Sequence, residues 1–169
     1  MFENRKSAGE LLARKFLSNE GIGLVLAIPK GGVAIAKPIA DKLRLPLGIV
    51  YSKKIPTPGA PELASGAEIQ NIEKFGITPE VKGKNVILVD DGIATGATVE
   101  KAVEYLKKKG TGKISIAVPV APKDEIKKLR KLVGKVVVLE TPISFGAIGE
   151  FYRSFPQVSD EEVIQLLQK

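Results

Sequence analysis

Apolar residues along this chain fall into short continuous runs, which alternate with stretches where they recur every three or four positions. The clearest run, Val86 to Val89, leads into Asp90 and Asp91, then into a turn of small residues before a helical pattern begins. A continuous run rich in β-branched residues reads as a strand buried on both faces. The same reading predicts strands over residues 23–28, 46–51, 114–120 and 136–139. Helical spacing predicts a first helix over 7–19, opened by the capping-box pattern Ser7-Ala8-Gly9-Glu10, and another over 33–43, where Pro38 should kink it or mark a late first turn. Val99, Ala102, Val103 and Leu106 give a third helix its buried face, and Lys107 to Gly110 end it. Residues 124–133 make a fourth helix, and Ser159-Asp160-Glu161-Glu162 caps a last one to about Leu167.

Strand and helix alternate from Gly23 onward, which predicts a parallel sheet with right-handed crossovers. The expected fold is α/β, a single domain over residues 1–169 with a central parallel sheet and helices on both faces. Two stretches escape this pattern. Residues 52–62 hold three prolines and a glycine and form a long loop, with 65–69 as its return strand. Residues 140–155 gather Phe145, Tyr152 and Phe155 in a short span beyond the last core strand.

The chemistry concentrates where strands end. After Asp90 and Asp91, the small residues Gly92, Ala94, Gly96 and Ala97 let backbone N–H groups converge, and the following helix adds its dipole, so the turn can hold a phosphate. Two adjacent acids repel each other unless something donates to both, and the vicinal hydroxyls of a ribose or a Mg²⁺ ion would do so. Diol and phosphate on one loop imply a ribose 5-phosphate. The strand over 23–28 ends in Pro29-Lys30-Gly31-Gly32 before a helix, a second anion cradle.

Composition narrows the chemistry. The chain has no cysteine and no histidine, so thiol nucleophiles and the usual general base are absent, and acid–base work falls to Asp, Glu, Lys, Tyr or the substrate. The net charge of +7 favours anionic ligands. It would also suit nucleic acid, but the lysines are scattered over several helices without interleaved aromatics, which disfavours that partner. No apolar run reaches membrane-spanning length and no secretory leader pattern opens the chain, so it is expected to be soluble and cytoplasmic.

Residues 87–98, with Asp90-Asp91 followed by Thr95-Gly96-Ala97-Thr98, resemble without a gap the phosphoribosyl diphosphate (PRPP) signature of the type I phosphoribosyltransferases. That resemblance implies that Asp90 and Asp91 bind the ribose 2- and 3-hydroxyls, and that Gly92 and the turn Ala94, Thr95, Gly96, Ala97, Thr98 hold the 5-phosphate. It implies that Lys30, Gly31 and Gly32 hold the diphosphate, and that Mg²⁺ is the cofactor, carried on the diphosphate with Asp90 and Asp91 as candidate metal ligands. Lys53 and Lys54 lie where the family has a loop that closes over the diphosphate; an exposed basic loop is the equal alternative. The implied reaction moves the 5-phosphoribosyl group from PRPP to an unidentified nitrogenous base and releases pyrophosphate. The alternative is a non-catalytic PRPP or nucleotide sensor that binds nucleic acid.

Both chain ends resemble a group of phosphoribosyltransferases known only by this signature. The matching residues are Phe2, Arg5, Ala8 and Gly9 at the beginning, and Pro142, Phe145, Gly146, Gly149, Tyr152 and Phe155 near the end. A small hood over the site would then be built from the two ends, with Phe145 and Tyr152 as candidates to stack the base and Phe155 packing the C-terminal segment. Arg5 reads as a solvated N-terminal arginine. A homodimer is a further expectation.

Overall fold

The computed structural model describes residues 1–19, 21–50 and 79–168. Five parallel strands, β1 (Ile22–Ala27), β2 (Leu47–Ile49), β3 (Asn85–Val89), β4 (Ile114–Val120) and β5 (Lys135–Glu140), form one sheet in the order β2-β1-β3-β4-β5. Among the described residues five helices accompany them: α1 (Arg5–Ala13), α2 (Gly31–Leu43), α3 (Ala97–Lys108), α4 (Lys123–Leu132) and α5 (Asp160–Gln168), with a 3₁₀ turn at Ile148–Phe151. Among the described residues no helix is long and apolar enough to cross a membrane.

The continuous apolar runs are explained by helices on both faces. In β3, Ile87 and Val89 join a core with α1, α2 and α5, while Val86 and Leu88 join a core with α3 and α4. All four are at most 1% exposed. Burial of each such side chain is worth about 1.5–3 kcal/mol, which makes β3 the keel of the sheet. It pairs with β1 from Ile22↔Asn85 to Ala27↔Val89 and with β4 from Val86↔Ile114 to Val89↔Ala117.

The first helix begins earlier than its capping box predicts. Asn4 is the N-cap, its side chain accepting from the Ser7 N–H at 2.8 Å, and the helix ends at Ala13. Ser7 therefore lies within the helix. Pro38 sits inside α2, not in its first turn. There Gly9 lets α1 cross closely, since a Cβ on it would overlap the Ile35 carbonyl oxygen. Ser159 caps α5 as expected, accepting from the Glu162 N–H at 3.1 Å.

The hood is present and made by both ends. The Phe2 N–H donates to the Phe151 carbonyl at 2.8 Å, and the Arg153 N–H donates to the Phe2 carbonyl at 2.8 Å. The loop over 52–62, the return strand over 65–69, and Lys53 and Lys54 lie outside the described residues.

Candidate active site

The sheet order dictates where a ligand can enter. The chain leaves β1 for β2 on one side, and β3 lies on the other side of β1 and continues to β4. Such a reversal opens a crevice beyond the carboxyl ends of β1 and β3, the usual ligand site of open α/β sheets. Lys30, Gly31 and Gly32 follow β1, and Asp90 to Gly96 follow β3. Helices α2 and α3 start at the same edge and aim their positive dipole ends into it, although in α2 the Gly32 and Val33 N–H groups already donate to the Ile28 and Lys30 carbonyls.

The turn before α3 is built as an anion cradle. Gly96 adopts a φ of 81°, in the left-handed region that favours glycine, and serves as N-cap without a capping side chain. Among the described residues, the backbone N–H groups of Ala94, Thr95, Gly96 and Thr98 have no acceptor. They surround a pocket of about 130 Å³ that Asp90, Gly92, Thr98 and Ile148 also line. Ile148 comes from the hood, and only glycine at 92 admits it, because a Cβ there would stand 2.7 Å from its Cγ2. Behind the turn, Glu125 of α4 brings its buried Oε2, which has no hydrogen-bond partner among the described residues, against Gly96.

The two acids connect this cradle to the one after β1. A Cβ on Gly32 would lie 3.4 Å from Asp90 Oδ1, and one on Gly31 would overlap Asp91 Oδ2. Gly31 therefore lets the loop after β1 close onto Asp91, while Gly32 makes room first for the Val89 carbonyl oxygen, 2.8 Å from where its Cβ would stand. Asp90 Oδ1 accepts the Asp91 N–H at 2.8 Å. Asp90 keeps part of its surface on the pocket, with protein packed densely around its carboxyl. That burial, and secondarily the charge of Asp91, pushes its pKa well above the usual carboxylate range.

Asp91 has a different environment. Its Oδ2 accepts from Arg5 Nε at 3.1 Å, with the two side chains 15% and 11% exposed. Arg5 is therefore not the solvated arginine the sequence suggests. Its guanidinium carbon stands 3.7 Å from the centre of the Phe155 ring, and Nη1 donates to the Pro156 carbonyl. Local sequence could not reveal this, because its partners lie 86 and 151 positions away.

Tyr152 is a second correction. Its hydroxyl donates to the Asp91 carbonyl at 2.7 Å, and its ring packs on Phe2 and Phe155, leaving the residue 5% exposed. A base cannot stack on it, and burial raises the hydroxyl's pKa far above its ordinary value. Phe145 is half-buried and stacks on Phe151 with centroids 5.3 Å apart. Phe155 packs the C-terminal segment, as expected. Lys30 is drawn aside, its Nζ 2.9 Å from Asp160 Oδ1 at the start of α5.

The acids do not form a cage for a resident metal. Asp91 Oδ2 is already taken by a cation, Asp90 is disfavoured as an anion, and among the described residues no three His, Cys, Asp or Glu side chains cluster. No step is assigned to a protein-held Mg²⁺.

Sequence comparison matches residues 3–153 to the phosphoribosyl transferase domain family. The chain belongs to that family. A candidate phosphoribosyl transferase of Mycobacterium tuberculosis, Rv0571c, is 32% identical over 207 aligned residues covering 100% of this chain and 47% of its own length. The ribose-phosphate pyrophosphokinase of Pyrococcus furiosus is 36% identical over 141 residues, 79% of this chain and 45% of that enzyme. The chain thus spans about half the length of these curated relatives. Among solved structures, TT1426 of Thermus thermophilus superposes with a TM-score of 0.81 at 28% identity, covering 98% of this chain and 97% of the other. The purine phosphoribosyltransferase of Pyrococcus horikoshii shares the fold, with a TM-score of 0.52 at 19% identity, 85% of this chain and 92% of that one. Within this family fold, Asp90, Asp91 and the turn to Thr98 occupy the sheet's switch point, together with the loop of Lys30 to Gly32.

Proposed function

We propose that the protein transfers the 5-phosphoribosyl group of PRPP to a nitrogenous base, releasing pyrophosphate. The observation that carries this reading is the acid pair standing between two anion cradles, with Asp90 lining one and both acids abutting the glycines of the other. A ligand with a phosphate at one end, a diol in the middle and a diphosphate at the other end matches that order. The names of its relatives support the sugar phosphate, since transferases and pyrophosphokinases both handle phosphorylated ribose.

In this mechanism the free N–H groups of the turn from Ala94 to Thr98 and the start of α3 bind the 5-phosphate. Asp91, paired with Arg5, accepts from one ribose hydroxyl, and Asp90, with its raised pKa, donates to or accepts from the other. Departure of pyrophosphate leaves positive charge on the ribose, as in glycoside cleavage. The nearby carboxylate of Asp91 favours that charge, while Gly31, Gly32 and the N-terminus of α2 receive the leaving anion. Lys30 joins them if the diphosphate draws it from Asp160. No covalent nucleophile is needed, in keeping with a chain that has neither cysteine nor histidine.

The test is pyrophosphate release from PRPP with Mg²⁺ and a pooled panel of purine and pyrimidine bases, measured against a base-free control. Release above the control is expected, and splitting the pool names the acceptor. Asp90→Asn and Asp91→Asn should each weaken PRPP binding by about 1–3 kcal/mol with the fold intact. Unchanged affinity in both variants would sink the ribose assignment.

A further inference from the structure

Arg5 belongs to no motif of the reaction, yet it is built into the site more tightly than any other cation described. It opens α1, directly after the Asn4 cap. The segment before it is pinned by the Phe2 and Arg153 backbone pairs and by the Ser154 N–H, which donates to the Glu3 carbonyl at 3.0 Å. One face of the guanidinium lies on Phe155, and Gly31 approaches it closely enough that a Cβ there would stand 3.0 Å from Nε. Nη1 is spent on the Pro156 carbonyl and Nε on Asp91 Oδ2.

The orientation of Asp91 follows from that clamp. With Oδ2 held by Arg5, Oδ1 accepts from no cation or backbone N–H among the described residues, while the Asp91 side chain also shares a hydrogen bond with the Asp90 carboxyl. We propose that Arg5 is a positioning residue for the sugar: through Nε it fixes the Asp91 carboxylate with Oδ1 free to accept from a ribose hydroxyl. This role rests on the transferase reading above. It acts through Asp91, and it makes the N-terminal segment and residues 155–156 part of the sugar site. The pairing is also directional, because only a planar fork can serve Asp91 and the Pro156 carbonyl while lying flat on a ring.

The experiment is calorimetric binding of ribose 5-phosphate and, separately, inorganic phosphate to the full chain and to Arg5→Gln and Arg5→Lys. Inorganic phosphate uses the turn at Ala94 to Thr98 but not Asp91, so it reports on the intactness of the rest of the site. Arg5→Gln should weaken ribose 5-phosphate about tenfold, the worth of one charged hydrogen bond, while phosphate affinity stays within about twofold. Arg5→Lys keeps the charge and folds under milder constraint; it should recover part of the loss, again with phosphate unchanged. Equal losses for both ligands, or no loss for ribose 5-phosphate, would overturn the positioning role. A wild-type chain that binds phosphate but not ribose 5-phosphate would instead overturn the transferase reading itself, and this role with it.

Discussion

Gly31→Ala separates what helix propensity demands from what the site demands. Gly31 is the first residue of α2 and its φ is not in the left-handed region, so alanine fits the backbone. Propensity alone then predicts a gain of about 0.5–1 kcal/mol, from the lower entropy of the unfolded chain. The tertiary surroundings predict the opposite sign. The new methyl would overlap Asp91 Oδ2 and stand 2.9 Å from Asp91 Cγ and 3.0 Å from Arg5 Nε. Neither partner can yield freely, since Arg5 is held by Phe155 and Pro156 while Asp91 is tied to Arg5. Overpacking of this kind costs about 1–3 kcal/mol. So close an overlap takes the upper part of that range, about 2–3 kcal/mol, and subtracting the propensity gain leaves a net destabilisation of about 1–2.5 kcal/mol, which for a chain of this size lowers Tm by about 2–10 °C. Differential scanning calorimetry of the variant measures it. Repeating the substitution in an Asp91→Ala background should remove most of the cost, because the carboxylate is gone and Arg5, no longer tied to it, can yield the few tenths of an ångström the methyl needs. A Tm equal to or above wild type, or the same loss in both backgrounds, would refute the argument that the glycine exists to seat the Arg5–Asp91 pair.

Three other outcomes follow from the same geometry. Asp90 binds its proton more tightly folded than unfolded, so it subtracts stability as pH rises through the interval between its ordinary value near 3.8 and its raised folded value; Asp90→Asn should flatten that slope and raise Tm at neutral pH, and an unchanged slope in a pH series of melts would refute this. Asp160→Asn releases Lys30 and should strengthen pyrophosphate binding a few-fold in calorimetry, with a stability change under about 1 kcal/mol because Lys30 is 46% exposed; weaker binding would show that Asp160 presents the lysine, not that it diverts it. Glu125→Gln removes a buried, unpartnered anionic oxygen from behind the turn at Ala94 to Thr98, and relieving its repulsion should tighten inorganic phosphate a few-fold in calorimetry; no gain would mean that Lys128, 3.5 Å from Oε1, already neutralises the carboxylate.

Much of this protein is legible in one dimension because its governing interactions are local or periodic. Runs such as Val86 to Val89 announce doubly buried strands, since a residue flanked by helices on both faces has no polar side to show. The signature from Ile87 to Thr98 carries its own geometry: a strand, two acids and a glycine turn in fixed register place the acid pair beside a turn with free N–H groups, as the proposed sugar phosphate requires. Ser159 capped its helix as read, because a cap involves only the next three residues. Ser7 does not, because Asn4 caps one turn earlier by accepting the Ser7 N–H, which puts Ser7 inside the helix.

What the tertiary structure decided is how distant segments share the site. The strand order places Lys30 to Gly32 beside Asp90 and Asp91, and only then do Gly31 and Gly32 acquire a reason beyond flexibility: Gly31 leaves room for the Asp91 carboxylate and Gly32 for the Val89 carbonyl of β3. The contacts of Arg5, Ile148 and Asp160 carry no local signal, since their partners are set by how the chain ends fold over the crevice. Tyr152 shows the same limit from the other side. An aromatic near a site reads equally as a stacking platform or as packing, and its burial against Phe2 and its bond to the Asp91 carbonyl make it packing. Residue types and their short-range spacing determine which chemistry is available; the long-range contacts of the fold determine which atoms remain free to perform it.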